Sequence, residues 1–166
     1  MAKEKISRKI ILPVLLLLIA FSLSCAKVFF NHNQAVVLEE RMAYHRNIIQ
    51  PCSRTAPPAF EGTWTPTKEE IEIMEKHFNK LQRLKASECC LPRFNIDPID
   101  QYFLQYVGIL VNGKKLIYIN AVQNKNIKDE DKYTPQGACD GETCCWGVLY
   151  DPEKHKFFHL AINGSA

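Results

Sequence analysis

Gln101-Tyr102-Phe103-Leu104-Gln105-Tyr106-Val107-Gly108-Ile109-Leu110-Val111-Asn112-Gly113-Lys114-Lys115-Leu116-Ile117-Tyr118-Ile119-Asn120-Ala121-Val122 decides the fold class. Its two halves are rich in aromatic and β-branched residues, which suit a pleated, half-buried surface. Between them stands Asn112-Gly113, two residues that tolerate positive φ and so signal a tight hairpin. The first strand is expected from Gln101 to Val111. Lys114-Lys115 are expected to extend the turn, with the return strand from Leu116 to Val122. Gly108, inside the first strand, signals a bulge or a close approach of another segment.

Downstream, Trp146 to Asp151 reads as a third strand and Phe157 to Ile162 as a fourth. Asp151-Pro152-Glu153-Lys154 between them fits a type I turn, with Pro at its second position. In the fourth strand Phe158, Leu160 and Ile162 alternate with Phe157, His159 and Ala161, which predicts one apolar face. Gln123 to Gly137 is polar. Its Lys125, Lys128, Asp129, Glu130, Asp131 and Lys132 read as a solvated loop.

Upstream lies a helix. It starts either with Thr65 as N-cap and Pro66 at the first helical position, or with Thr67 and Glu70 as a capping box. Ile71, Met74, Phe78, Leu81 and Leu84 form one apolar stripe at three- and four-residue steps. His77 sits at the edge of that stripe. The helix should end before Cys89-Cys90-Leu91-Pro92, because Pro cannot continue it. One amphipathic helix packed on a four-stranded antiparallel sheet is an α+β, two-layer domain. Cystatin-like folds share that arrangement, by analogy only.

The amino-terminal end has a basic region, Lys3 to Lys9, then an uncharged run from Ile10 to Ala26, then small residues at Ser22 and Ser24. This is the three-part pattern of a signal peptide over 1–24. The apolar run is short for a membrane span and Pro13 interrupts it. Phe21-Ser22-Leu23-Ser24-Cys25 resembles a bacterial lipobox, which makes Cys25 the expected lipidation site. Ser22-Leu23-Ser24 and Ser24-Cys25-Ala26 also fit ordinary cleavage, giving a soluble periplasmic or secreted protein. Residues 25–59 are expected to be a tether and a weakly defined segment. Within it Met42, His45 and Ile49 share one face of a possible short helix. The folded domain is expected over 60–166.

The chain has 166 residues, 46% of them hydrophobic and 23% charged, which fits one globular domain rather than disorder. Lys3, Lys5, Arg8 and Lys9 against Glu4 account for the whole formal charge of +3. The remainder is neutral, which excludes an electrostatic case for nucleic acid.

A family resemblance follows from several of these stretches. They are Gln105-Tyr106-Val107-Gly108, Asn112 to Asn120, Cys139-Asp140-Gly141, Trp146 to Pro152, Phe157, Leu160 and Asn163-Gly164, with Trp64 to Thr67 before the helix. Together they resemble a family of small exported bacterial proteins of uncharacterised function, read as lipoproteins. That family carries a Cys-Asp-Gly, Trp-Gly, Tyr-Asp-Pro carboxy-terminal pattern. The family pattern has two glycines after Cys-Asp, whereas Glu142 follows Gly141 here, and it lacks the Cys144-Cys145 pair. The resemblance implies export and a single domain; it implies no activity.

Seven cysteines are an odd number, and lipidation of Cys25 would leave six. In an oxidising compartment Cys52, Cys89, Cys90, Cys139, Cys144 and Cys145 are disulfide candidates. The expected pairing sends Cys89 and Cys90 to different partners in the Cys139–Cys145 region. Two sharper readings compete. Cys89, Cys90, Cys139, Cys144 and Cys145 could hold zinc, but their spacing departs from structural zinc sites. Cys139 could be a nucleophile with His155 or His159 and Asp140 or Asp151, residue types that any chain of this composition supplies.

No phosphate-cradling Gly-rich loop and no His-Glu-x-x-His occurs, so no catalytic residue, metal or cofactor is assigned. Asn163-Gly164-Ser165 matches a glycosylation sequon by pattern only. Asp140 and Trp146, if they face solvent together, are the candidate binding surface. The expected function is an exported, lipid-anchored, non-catalytic binding or inhibitor module of the cell envelope. Its partner would be an envelope or extracellular protein, with the membrane reached through Cys25. The alternative is a small exported enzyme with a Cys-His or zinc-thiolate site.

Overall fold

The computed structural model describes residues 34–123 and 127–165. The signal segment, Cys25 and Lys125 lie outside the described residues. In chain order the elements are β1 (Ala35–Val37), a 3-10 turn (Glu40–Tyr44), α1 (Arg46–Ile49), β2 (Gly62–Trp64), α2 (Lys68–Glu75), α3 (Phe78–Leu81), β3 (Phe103–Val111), β4 (Lys114–Val122), β5 (Cys145–Asp151) and β6 (Lys156–Ile162). No helix among the described residues is long and apolar enough to cross a membrane.

The fold is α+β, built on a mixed six-stranded sheet. The sheet order is β1-β3-β4-β5-β6, and β2 also pairs with β3. Strands β3 to β6 are the expected antiparallel meander. The expectation of four strands missed β1 and β2. They share one edge of β3: β1 runs parallel beside Leu104–Tyr106, and β2 runs antiparallel beside Gly108–Leu110. The Asn112-Gly113 turn forms as its chemistry requires, with φ of 51° and 73°. Val111 pairs with Lys114, so the two lysines belong to β4 rather than to the turn. Gly108 marks a close approach: a Cβ there would collide with the Trp64 carbonyl oxygen.

The single helix is corrected to two short ones. The Thr67–Glu70 capping box starts α2. At Lys76 and His77 the helix breaks, and the His77 N–H bonds Met74 O at 2.9 Å, three residues back. His77 itself adopts φ −97° and ψ 5°. No Gly or Pro causes this; the His77 ring reaches Tyr150 Oη at 3.1 Å instead. The apolar stripe survives the break, and Ile71, Met74, Phe78 and Leu81 are buried against the sheet.

The layering also differs. One sheet face packs on α2 and α3 through Tyr106, Ile117, Ile119, Trp146, Val148 and Phe157. The other face is covered as well: Val107, Ile109, Tyr118 and Leu149 pack with Leu38, Ala43 and Ile48. The folded structure therefore begins well before residue 60, because the apolar patch at Val36–Leu38 and the Ile48 side chain find a sheet face to cover. The short helix expected to carry Met42, His45 and Ile49 on one face is interrupted at His45, whose ψ is 142°. Ala43 and Ile48 are the buried residues there, while Ile49 is exposed.

In β6 the expected alternation fails after Phe158. His159 and Leu160 both lie opposite Val148, a bulge in which His159 takes φ 56°. The extra residue changes the face. Phe157, Leu160 and Ile162 share the helix-side core, and Phe158 is 36% exposed on the other side.

Candidate functional site

The cysteine-bearing segments converge on the carboxy-terminal end of β6. Cys90 N–H donates to Ile162 O at 3.0 Å, Asn163 N–H to Cys145 O at 3.0 Å, and Gly164 N–H to Ser53 O at 2.9 Å. Thr55 N–H donates to Cys89 O at 3.2 Å, and Glu142 N–H to Gly164 O at 3.1 Å. Sulfurs meet in two places: Cys52 with Cys139, and Cys89 with Cys90. The expected pairing of Cys89 and Cys90 with the 139–145 region is corrected. Each neighbour pairs with the other, and the long-range bridge starts from Cys52. Sequence spacing carries no information that would choose between these connectivities.

Cys144 and Cys145 are free thiols with Sγ atoms 3.3 Å apart. Cys145 is buried, and that burial, reinforced by Cys144, pushes its thiol up to about 12; the Arg54 guanidinium pulls the other way. A thiol held so far above neutral pH is a poor nucleophile and a poor metal ligand.

Arg54 is the buried residue that sequence reasoning missed. It is 6% exposed and makes no ion pair among the described residues. Its Nη1 donates to Asn163 Oδ1 at 2.9 Å and its Nη2 to Asn120 Oδ1 at 2.6 Å. Asn120 Nδ2 then donates to Gln105 Oε1 at 2.9 Å, and Gln105 Nε2 holds the Lys132 and Thr134 carbonyls. Asn163 Nδ2 donates to the Ala138 and Asp140 carbonyls. Polar side chains at Gln105 and Asn120, inside otherwise apolar strands, were the available signal. Buried amides need partners. Here they fasten the long polar loop and the 138–140 segment to the sheet.

The catalytic alternatives lose their parts. Cys139 is bonded to Cys52, so its sulfur is no thiolate. His155 Nδ1 sits 3.0 Å from Tyr150 Oη, and His159 Nε2 sits 2.9 Å from Ala56 O. Asp151 Oδ1 accepts the Glu153 and Lys154 N–H groups, both at 3.0 Å. Each has a structural engagement away from a cysteine. The zinc reading fails at Cys89, Cys90 and Cys139, whose sulfurs are oxidised. His77, Tyr150 and His155 form a second cluster at the helix break. Burial first, then the charges of Lys80 and His155, lowers the pKa of His77.

The proposed contact pair of Asp140 and Trp146 is also corrected. Trp146 is fully buried, edge-on to Tyr102 in the helix-side core. Asp140 is half-buried at φ 60°, with its N–H on Ser53 Oγ at 2.8 Å. The two do not face solvent together.

An open groove lies at the opposite end of the sheet. Its volume is about 410 Å³, within the range of ligand sites. Pro58, Val111, Leu116 and Phe158 form its apolar surface, and Lys114, Lys154 and Lys156 rim it. All three lysines are exposed, and none has an ion-pair partner among the described residues. Asp151 also lines the groove, and Glu61 lies at the 112–113 turn; both carboxylates hold backbone N–H groups. Asp151 caps its own turn, and Glu61 holds the Asn112 and Gly113 N–H groups, an arrangement that keeps its carboxyl below the usual range. A second groove of about 350 Å³ runs between β1 and α2, over Tyr106. There Tyr106 Oη donates to Glu75 at 2.9 Å, and Lys68 pairs with Glu72 at 3.8 Å.

No protein-family model, curated protein or solved structure matches this chain.

Proposed function

We propose that the protein is exported, anchored at the cell envelope by a lipid on Cys25, and acts as a non-catalytic binding module. The lysine-rimmed groove carries this reading. It is an open apolar surface where three lysines outnumber one lining carboxylate, Asp151, whereas Cys139, His155 and His159, considered for catalysis, have structural engagements. The signal-like segment, the lipobox-like Phe21–Cys25 and the resemblance to small exported bacterial lipoproteins support export and anchoring.

β1 begins opposite Leu104, at the sheet end where Cys145 opens β5, and the groove lies at the far hairpin end. The nine-residue β3 spans roughly 30 Å at about 3.4 Å per residue, so the groove and the start of β1 lie at opposite ends of the sheet. Fractionation of cells carrying Cys25→Ala tests the anchor. Wild type is expected in the membrane fraction and the variant in the soluble exported fraction. Identical partitioning of the two would refute lipid anchoring at this residue.

A further inference from the structure

Charge is distributed unevenly on this chain. Outside residues 1–24 it is neutral, yet three lysines and one carboxylate, Asp151, line one apolar groove, and none of the three lysines is ion-paired among the described residues. Two hairpins place them there. Lys114 follows the Asn112-Gly113 turn, and Lys154 and Lys156 flank the end of the 152–155 turn. The β6 bulge contributes the apolar part, because it turns Phe158 out of the helix-side core and onto this face. An exposed aromatic beside Val111, Leu116 and Pro58 favours an apolar side chain, and the lysines favour anionic groups around it.

We infer that this groove binds an acidic segment of a partner protein, one in which Asp or Glu residues alternate with large apolar ones. The inference rests on the reading of the protein as a binding module and names the partner chemistry of that module. Alternation suits the site because in an extended peptide successive side chains point to opposite sides. Apolar residues then meet the floor while acids stay near the rim. Beside Phe158 the groove is bounded by Pro58, and His159 Nε2 lies 2.9 Å from Ala56 O. From Leu160 onward the edge of β6 is covered, since Ser87 and Glu88 N–H donate to Leu160 O and Cys90 N–H to Ile162 O. A flat anionic membrane is disfavoured as the occupant. The apolar residues lie in a concavity, which a flat surface would not enter.

The test uses the mature chain and a fluorescein-labelled decapeptide alternating Asp or Glu with Leu or Phe, followed by fluorescence anisotropy. Saturable binding is expected, weakening between about 50 and about 300 mM salt as rim charges are screened. Lys154→Glu with Lys156→Glu should weaken it at least about tenfold, because two attractive rim charges become repulsive. Phe158→Ser should weaken it at unchanged charge. Bound peptide should protect Lys114, Lys154 and Lys156 from acetylation, with thermal midpoints confirming that the variants fold. Absence of saturable binding overturns the inference, and so does equal affinity of the charge-reversed variant. Binding to phosphatidylglycerol vesicles without binding to the peptide overturns it in favour of a membrane. Failure of the anchor is separable, since an unlipidated protein that binds the peptide through these lysines refutes the tether alone.

Discussion

Gly108→Ala is the most exacting substitution the sheet offers. A Cβ on Gly108 would overlap the Trp64 carbonyl oxygen and stand 2.8 Å from the indole Nε1. The carbonyl is backbone, so relief requires moving β2, which pairs with β3 only at Gly62, Thr63 and Trp64. Moving it disturbs Trp64, which is 8% exposed and donates its indole N–H to Ile109 O at 3.3 Å and Leu116 O at 3.2 Å. Overpacking costs about 1–3 kcal/mol, and loss of part of the Trp64 contacts adds about 1–2 kcal/mol. The lower chain entropy of Ala returns about 0.5–1 kcal/mol. The net expectation is a loss of about 1–4.5 kcal/mol, centred near 3 kcal/mol. For a domain of this size that lowers Tm by on the order of 10 °C. Gly62→Ala is the control, because its Cβ would meet the flexible Leu110 Cδ1 at 3.1 Å. Paired thermal melts would decide the matter. A Gly108→Ala midpoint within about 2 °C of wild type would refute the close approach of β2.

Two further outcomes follow from titrating groups. At pH 8 a Cys145 thiol near 12 leaves about a thousandfold less thiolate than an ordinary cysteine, so native-state iodoacetamide labelling should reach Cys144 and spare Cys145 until the chain unfolds. Equal labelling rates, read by peptide fragmentation, would contradict the burial of Cys145. His77 has a folded pKa below its ordinary 6.5, so the unfolded chain takes up a proton more readily. Its contribution to stability is therefore present above pH 6.5 and is lost as pH falls through that value toward the lower folded one. The drop in thermal midpoint between pH 7.5 and 5.5 should be smaller in His77→Gln than in wild type. Equal drops would show that this histidine does not carry the effect.

Local chemistry made part of this fold legible. Asn112-Gly113 specifies its hairpin because both residues accept positive φ, and Thr67 with Glu70 specifies a helix start because each satisfies the other's backbone donor. Tertiary contacts hid the rest. The helix break at His77 follows a partner, Tyr150, that lies 73 residues away. The face change in β6 depends on positive φ at His159, a conformation uncommon for any residue but glycine and not signalled by its neighbours in sequence. β1 is three residues long, and the 3-10 turn after it lacks the helical repeat, so residues 35–49 offered little periodicity to read. The site was hidden for related reasons. Asp140 and Trp146 were conspicuous by composition, yet Trp146 fills the core. Lys114 lies 40 residues before Lys154 and 42 before Lys156, and the three meet only when two hairpin turns come together.

The export reading and the structural role of the cysteines meet in one measurement, the intact mass of mature protein extracted from the envelope and alkylated while denatured and unreduced. The account predicts an amino-terminal Cys25 bearing lipid and two alkyl groups, on Cys144 and Cys145, with Cys52, Cys89, Cys90 and Cys139 protected. An unmodified amino terminus would contradict the anchor, and alkylation at Cys139 would contradict its disulfide with Cys52.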